Sequence, residues 1–294
     1  MLSARYDDDQ ERGRALGQAM SGMSIGVMIG PVYGGLMYNY VGKLATFLVL
    51  AGIALVDGLL RLIVITPGVT HRESSIALTF WTVACNPRVL TVVGVSMIGF
   101  FGIAMFQAIL PLHIMASMNA SILEQSLVYL PGNLALFISQ NVFGSLAFKI
   151  GRERTISIAL PLMALGFFIM PMCQTTIVLV APLVIIDWCM GMIYSASTGM
   201  LSQMAAEYEH SSAYGHVFAV FESVTSLVFI ISPITGGFFV QTLNFTWAMN
   251  IVAVMIICYT IFFILMVYFV FPKVTCHPGE KMTLIRSSKT DTVD

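Results

Sequence analysis

Charge is what this sequence has least of. Asp, Glu, Lys and Arg make up only 10% of its 294 residues, while 57% are hydrophobic and mean hydropathy is +0.87. Ordinary soluble domains carry roughly 25% charged residues. So few charges cannot cover a water-exposed globule of this size, which excludes a soluble enzyme and a disordered chain. Neither sign is in excess, with 14 basic against 15 acidic residues. The basic field of a nucleic-acid binder is therefore missing. The five cysteines, at 85, 173, 189, 258 and 276, have no short paired spacing. That excludes a zinc site or disulfide framework of the usual pattern. His71, His113, His210, His216 and His277 are scattered, and no Gly-rich phosphate loop follows a strand. The sequence thus offers no catalytic constellation, and no metal or cofactor is expected. What it has in quantity is Met (20), Phe (20) and Gly (24), as in helices packed within lipid.

A helix crossing a hydrocarbon layer of ~30 Å needs about 20 mostly apolar residues. Eight such runs are present, at 15–38, 44–66, 89–113, 124–148, 155–173, 177–203, 214–240 and 246–271. The expected fold is therefore an all-α, multi-pass membrane bundle whose principal partner is the bilayer. The breaks carry polar or turn residues, among them Asn39 to Lys43, Lys149 to Arg154 and Glu207 to Ser212. Residues 1–14 form a charged leading segment without signal-peptide character, and 272–294 read as a disordered polar tail. Twelve of the 14 lysines and arginines fall on one side of an eight-span path, Lys43 alone falls on the other, and Arg61 lies within a span. That bias predicts cytoplasmic termini and a cytoplasmic loop at 67–88.

Residues 6–35 align without a gap to 208–237, an offset of 202. Tyr6 matches Tyr208, Asp7 matches Glu209, Gly13 matches Gly215, Pro31 matches Pro233, and Gly34-Gly35 matches Gly236-Gly237. In the span count that offset equals six helices. A six-helix repeat about an axis along the membrane normal is the plan of the major facilitator fold. The first copy starts at the fifth helix of a half, so the spans are expected to be helices five to twelve of twelve. Residues 15–66 would close one half, 89–271 would form the other, and four spans or a second chain would be needed to complete the bundle. In the first span, Gly22, Gly26, Gly30 and Gly34 recur every fourth residue. A bare stripe of this kind lets another helix approach closely. It serves packing alone or also a seal between the halves.

Several stretches resemble a known family. Gly30-Pro31-Val32-Tyr33-Gly34-Gly35 is similar to the antiporter motif of drug and amine exchangers. Gly144 through Arg152, with Lys149 and Gly151, resembles the cytoplasmic loop between helices eight and nine of major facilitator proteins. Tyr6-Asp7-Asp8-Asp9-Gln10-Glu11-Arg12-Gly13, Gly102-Ile103-Ala104-Met105, Tyr129-Leu130-Pro131, Asn141-Val142-Phe143-Gly144 and Ala213-Tyr214-Gly215 resemble the vesicular monoamine and acetylcholine transporters. The resemblance implies exchange of lumenal protons for a cytosolic cationic amine by alternating access, in a secretory or synaptic vesicle membrane. It also implies intramembrane acids in helices seven, ten and eleven. These positions fall on Gln107, Tyr194 and Glu222, so only Glu222 keeps a carboxylate. Leu136 stands where monoamine carriers show tyrosine, and Phe100 where they show asparagine.

An ionised group at mid-membrane costs about 2.5–3.5 kcal/mol on insertion scales, so each asks for a reason. Asp57 and Arg61, four residues apart, can neutralise each other on one helical face. Glu222 has no basic residue within one turn. It is the candidate at which a proton and a cation compete for one carboxylate; the other reading is a neutral acid tying helices together. Asp187 follows Pro182 in the sixth span and is a candidate substitute for the lost helix-ten acid, or else a residue facing the outer water. It is seven residues from Tyr194, which predicts a shared face. Tyr194, Ser195, Ser197 and Thr198 bring hydroxyls near mid-membrane, to bind substrate or to link helices. His113 beside Pro111 reads as an interface residue or a lumenal titrating group. Arg152, Lys149 and Arg154 are gate-loop candidates, with Glu207 and Glu209 as their expected charge partners. The alternative to a carrier is a shortened or divergent, non-transporting membrane protein that acts as an interaction partner.

Overall fold

A computed structural model describes residues 9–64, 84–118, 120–207 and 213–270; side chains are described from residue 25. Eight long helices follow in chain order: α1 Asp9–Tyr40, α2 Lys43–Val64, α3 Pro87–Met118, α4 Ile122–Ile150, α5 Arg152–Ile169, α6 Thr176–Glu207, α7 Ala213–Leu243 and α8 Phe245–Leu265. They coincide with the eight apolar runs and extend most of them by several residues. The chain is an all-α membrane bundle.

The breaks have local causes. Gly42 and Gly151 adopt φ of +103° and +105°, conformations that a Cβ would strain, and so end α1 and α4. Asn86 Oδ1 accepts from the Arg88 N–H, and Pro87 opens α3 where its missing N–H is harmless. Ser121 and Glu124 form a reciprocal capping box that starts α4, with the Ser121 N–H donating to Glu124 Oε2 at 2.8 Å. At the end of α5, Pro171 lies in a 310 turn spanning Met170–Met172.

Six helices are long and apolar enough to cross a membrane: α2, α3, α5, α6, α7 and α8. In α4, Asn133, Ser139, Gln140 and Asn141 dilute its apolar character. Two of these spend their polarity on neighbouring helices. Asn133 Nδ2 donates to Val27 O of α1 at 3.2 Å, and Ser139 Oγ donates to Trp188 O of α6 at 2.7 Å. A hydrogen bond between helices is a polar link that the hydrocarbon phase cannot supply from solvent.

The core sits among α3 to α8. It is rich in Met and Phe, with Met105, Phe106, Met163, Phe167, Phe221, Met249 and Phe263 almost wholly buried. α6 is its centre, packed along α4 on one side and α5 on the other; α3 packs on α7, and α5 on α8. α2 lies apart, touching α1, where Tyr33 donates its hydroxyl proton to Thr46 O at 3.2 Å. Its outward side chains are large and apolar, Leu62 and Ile63 among them, as a lipid-facing helix requires.

The described helices leave the glycine stripe uncovered. A Cβ at Gly26, Gly30 or Gly34 would meet nothing within 4 Å. The close approach to α4 is made by the neighbouring face, where Gly35 is buried against Ser126 and Val27 O receives the Asn133 amide. Steps of four residues turn a helix by 400°, so the stripe drifts away from the line of contact. Side chains before residue 25, Gly22 included, lie outside the described set, as do residues 65–83 and the tail from 271.

Candidate functional site

Two carboxylates, Glu222 and Asp187, were singled out by sequence, and the fold gives them opposite environments. Glu222, on α7, has an exposed side chain. Beside it is an aromatic wall built from three helices. Tyr194 of α6 stands 5.9 Å from Phe100 of α3 and 6.0 Å from Phe221 of α7, and Phe100 stands 5.6 Å from Phe229. The Tyr194 ring lies within electrostatic reach of the Glu222 carboxylate. Phe221 is fully buried and fixes the wall, whereas Phe229 remains open. Aromatic faces carry negative potential, and a carboxylate beside them adds a full charge. The arrangement can hold an organic cation, with the acid as counter-ion and the rings as an apolar, cation-attracting surface.

Of the other candidates in this region, Gln107 is exposed on α3, two turns from Phe100, and Leu136 of α4 packs on the core. Ser195 Oγ lies 3.8 Å from where a Cβ on Gly144 would stand, at the α4–α6 seam. Thr198 spends its hydroxyl locally, donating to Tyr194 O at 2.8 Å, while Ser197 Oγ is buried with no partner. The hydroxyl cluster is therefore divided between a back-bond within α6 and burial in the packing, with Tyr194 the member that reaches the aromatic wall.

Asp187 is only 4% exposed. It faces neither outer water nor a base; its Oδ2 is seated against Gly132 of α4, where a Cβ would overlap it. Asp187 and Tyr194, two turns apart on α6, meet different neighbours along that side of the helix. The shared face is a seam: at the level of Asp187 it meets α4, and two turns further on it meets α3 and α7. The sequence reading also missed Gly132, Asn133 and Tyr129, which sit together on α4. A glycine one turn after a tyrosine in an otherwise bulky span was the available signal. It becomes informative only when the facing carboxylate is known.

At the loop between α4 and α5, Arg152 Nη1 donates to Gly199 O of α6, and its guanidinium lies over the Phe148 ring at 5.7 Å. A Cβ at Gly199 would come within 2.7 Å of Arg152 Nε, so the guanidinium would have to shift from its present seat. Lys149 is exposed beside it, and Glu153, which sequence reading did not single out, is buried with Oε1 unpartnered. The expected partners Glu207 and Glu209 lie outside the described side chains. His113 stacks flat on Phe245 at 3.9 Å, the interface role open to it from sequence. Asp57 and Arg61 do pair, with Oδ2 to Nε at 2.8 Å. Among the described residues no group of three His, Cys, Asp or Glu side chains is gathered that could hold a metal ion.

Comparison with known proteins agrees with this architecture. The family description "Major Facilitator Superfamily" matches residues 1–217 and 92–282. The chromaffin granule amine transporter of Rattus norvegicus is 32% identical over 259 residues, covering 88% of this chain and 50% of that protein. The synaptic vesicular amine transporter of Bos taurus is 32% identical over 254 residues, covering 86% and 49% respectively. A probable vesicular acetylcholine transporter-B of Danio rerio is 28% identical over 251 residues, covering 83% of this chain and 50% of that protein. The chain spans about half the length of the curated relatives it matches.

Proposed function

Since the chain belongs to the Major Facilitator Superfamily, we propose that it acts in secondary transport, exchanging protons for a cationic amine across a vesicle membrane by alternating access. Residues 15–66 then belong to one six-helix half and 89–271 to the other, with both termini cytoplasmic. Transport by a complete bundle requires the remaining helices of the first half or a second chain.

The observation that carries the reading is the Glu222 carboxylate beside the Phe100–Tyr194–Phe221 wall. An amine bound there meets an opposite charge and aromatic faces together; desolvated cation–π contacts contribute about 2 kcal/mol each. A proton arriving at Glu222 removes the counter-charge and releases the cation. Competition of two ligands for one carboxylate is sufficient for exchange. Asp187 is the second acid assigned to coupling. The amines for which the relatives are named and the counter-ion geometry support the same substrate class.

The test is uptake of a radiolabelled monoamine, or of acetylcholine, into acid-loaded lipid vesicles holding the chain completed by the remaining helices of the first half or by the second chain. The expected result is uptake that collapses with a protonophore and is lost in Glu222→Gln. Uptake indifferent to both would overturn proton exchange at Glu222. No uptake of any cationic amine by the unsubstituted protein would leave the non-transporting, partner-binding reading in its place.

A further inference from the structure

Asp187 presents a different chemical problem from Glu222. It is 96% buried, accepts no hydrogen bond from any described residue, and has no described basic group within ion-pair distance. Facing it from α4 is the Tyr129 ring, whose buried hydroxyl is also without a partner and which lies within electrostatic reach of the Asp187 carboxyl. Tyr129 and Gly132 are one helical turn apart, so both point to the same side of α4. The surrounding groups are apolar. Phe106 of α3 stacks on Tyr129 at 6.4 Å, Phe167 of α5 meets Phe106 at 6.0 Å, and Gly166 of α5 faces Ile186. Tyr129 is the one titratable side chain that α3, α4 and α5 bring to Asp187 among the described residues.

We propose that Asp187, Tyr129 and Gly132 form a buried proton-holding site between α4 and α6, in which Gly132 is the positioning residue that gives the carboxyl its seat. A carboxylate in an apolar cleft is stable only with a cation, a set of donors or a proton. Among the described residues no basic group pairs with the carboxyl and no hydrogen bond reaches it, Tyr129 being the one polar side chain within electrostatic reach. The carboxyl lies directly against Gly132, where even a methyl group would overlap Oδ2. A proton neutralises it there without any partner. The step is the gain of one proton from water and its return; only an O–H bond forms or breaks. Tyr129 is the group that can donate to the carboxyl when it is charged and accept from it when it is neutral.

The site deepens the exchange reading by separating proton from amine, but its existence does not depend on transport, and the test needs none. Infrared difference titration of the purified chain in lipid follows the C=O stretch of protonated carboxyl groups. The expected result is a protonated-carboxyl band that disappears in Asp187→Asn, persists in Glu222→Gln, and changes its titration midpoint by about one pH unit, tenfold in proton affinity, in Gly132→Ala. Should Gly132→Ala not fold, Tyr129→Phe keeps the ring on Phe106, removes only the hydroxyl, and is expected to displace the midpoint as well. A band unaltered by Asp187→Asn, or a midpoint shared by the parent and both α4 variants, overturns the site. A site that passes while uptake fails would leave the proton chemistry standing and refute transport alone.

Discussion

Replacing Gly191 by alanine tests the α4–α6 seam that seats Asp187. A Cβ at residue 191 would stand 2.7 Å from Ser139 Cβ, 2.8 Å from Ser139 Oγ and 2.9 Å from Leu136 O. The last of these is backbone and cannot rotate away, so the two helices have to part by several tenths of an ångström. Overpacking of this kind costs about 1–3 kcal/mol. Parting the helices also strains the 2.7 Å bond from Ser139 to Trp188 O. An interhelical bond in a membrane protein contributes roughly 0.6 kcal/mol, rising to about 1.7. The expected loss is therefore about 2–4 kcal/mol. Two companions separate the terms. Ser139→Ala removes only the hydrogen bond, for about 0.6 kcal/mol. Gly237→Ala adds a methyl where nothing lies within 4 Å, and its expected effect is neutral to slightly stabilising, since alanine is the better helix former by up to ~1 kcal/mol. Reversible unfolding in mixed detergent–lipid micelles gives all three free energies. A Gly191→Ala protein no less stable than Ser139→Ala would refute the tight seam.

Three further outcomes follow from contacts elsewhere. Asn133→Ala removes the amide that reaches Val27 O at 3.2 Å, and should weaken the hold of α1 on the bundle by roughly 0.6 kcal/mol, read as faster disulfide trapping between cysteines placed on the outward faces of α1 and α4. Arg152→Lys loses the planar fork that both donates to Gly199 O and lies over Phe148, and a drop of about 1–2 kcal/mol in unfolding free energy is expected, an amount that a merely topological charge would not show. Phe100→Leu keeps apolar bulk but removes a ring of the wall beside Glu222. Amine affinity should fall by about 2- to 30-fold, the equivalent of about 0.5–2 kcal/mol, with unfolding free energy little changed.

The helices themselves were legible in the sequence, because the length of an apolar run and the polar residues that interrupt it are local properties. Gly42 and Gly151 lie within the 39–43 and 149–154 breaks, where one helix gives way to the next. The Asp57–Arg61 pair was equally readable, since both partners lie on one helix four residues apart. Pairings between helices were not. Periodicity gave the side of α6 that Asp187 occupies without saying which helix lies opposite, and that neighbour decides whether the acid is open or sealed. The glycine stripe shows the same limitation: spacing identifies a bare face, while the contact that α1 makes with α4 through Gly35 and Val27 lies on the face beside it. The acid at residue 222 was identified by its isolation from basic groups. Its aromatic surroundings come from α3 and α6, more than a hundred and nearly thirty residues away in sequence, and only the fold brings them together.

Equilibrium binding of a labelled cationic amine to the purified chain, measured across a pH series for the parent and for Glu222→Gln, tests most directly whether one carboxylate serves both ligands. Protons should weaken amine binding progressively in the parent as pH is lowered, and Glu222→Gln should bind weakly at every pH with that dependence gone. Equal binding curves for the two proteins, with the same response to pH, would contradict the account.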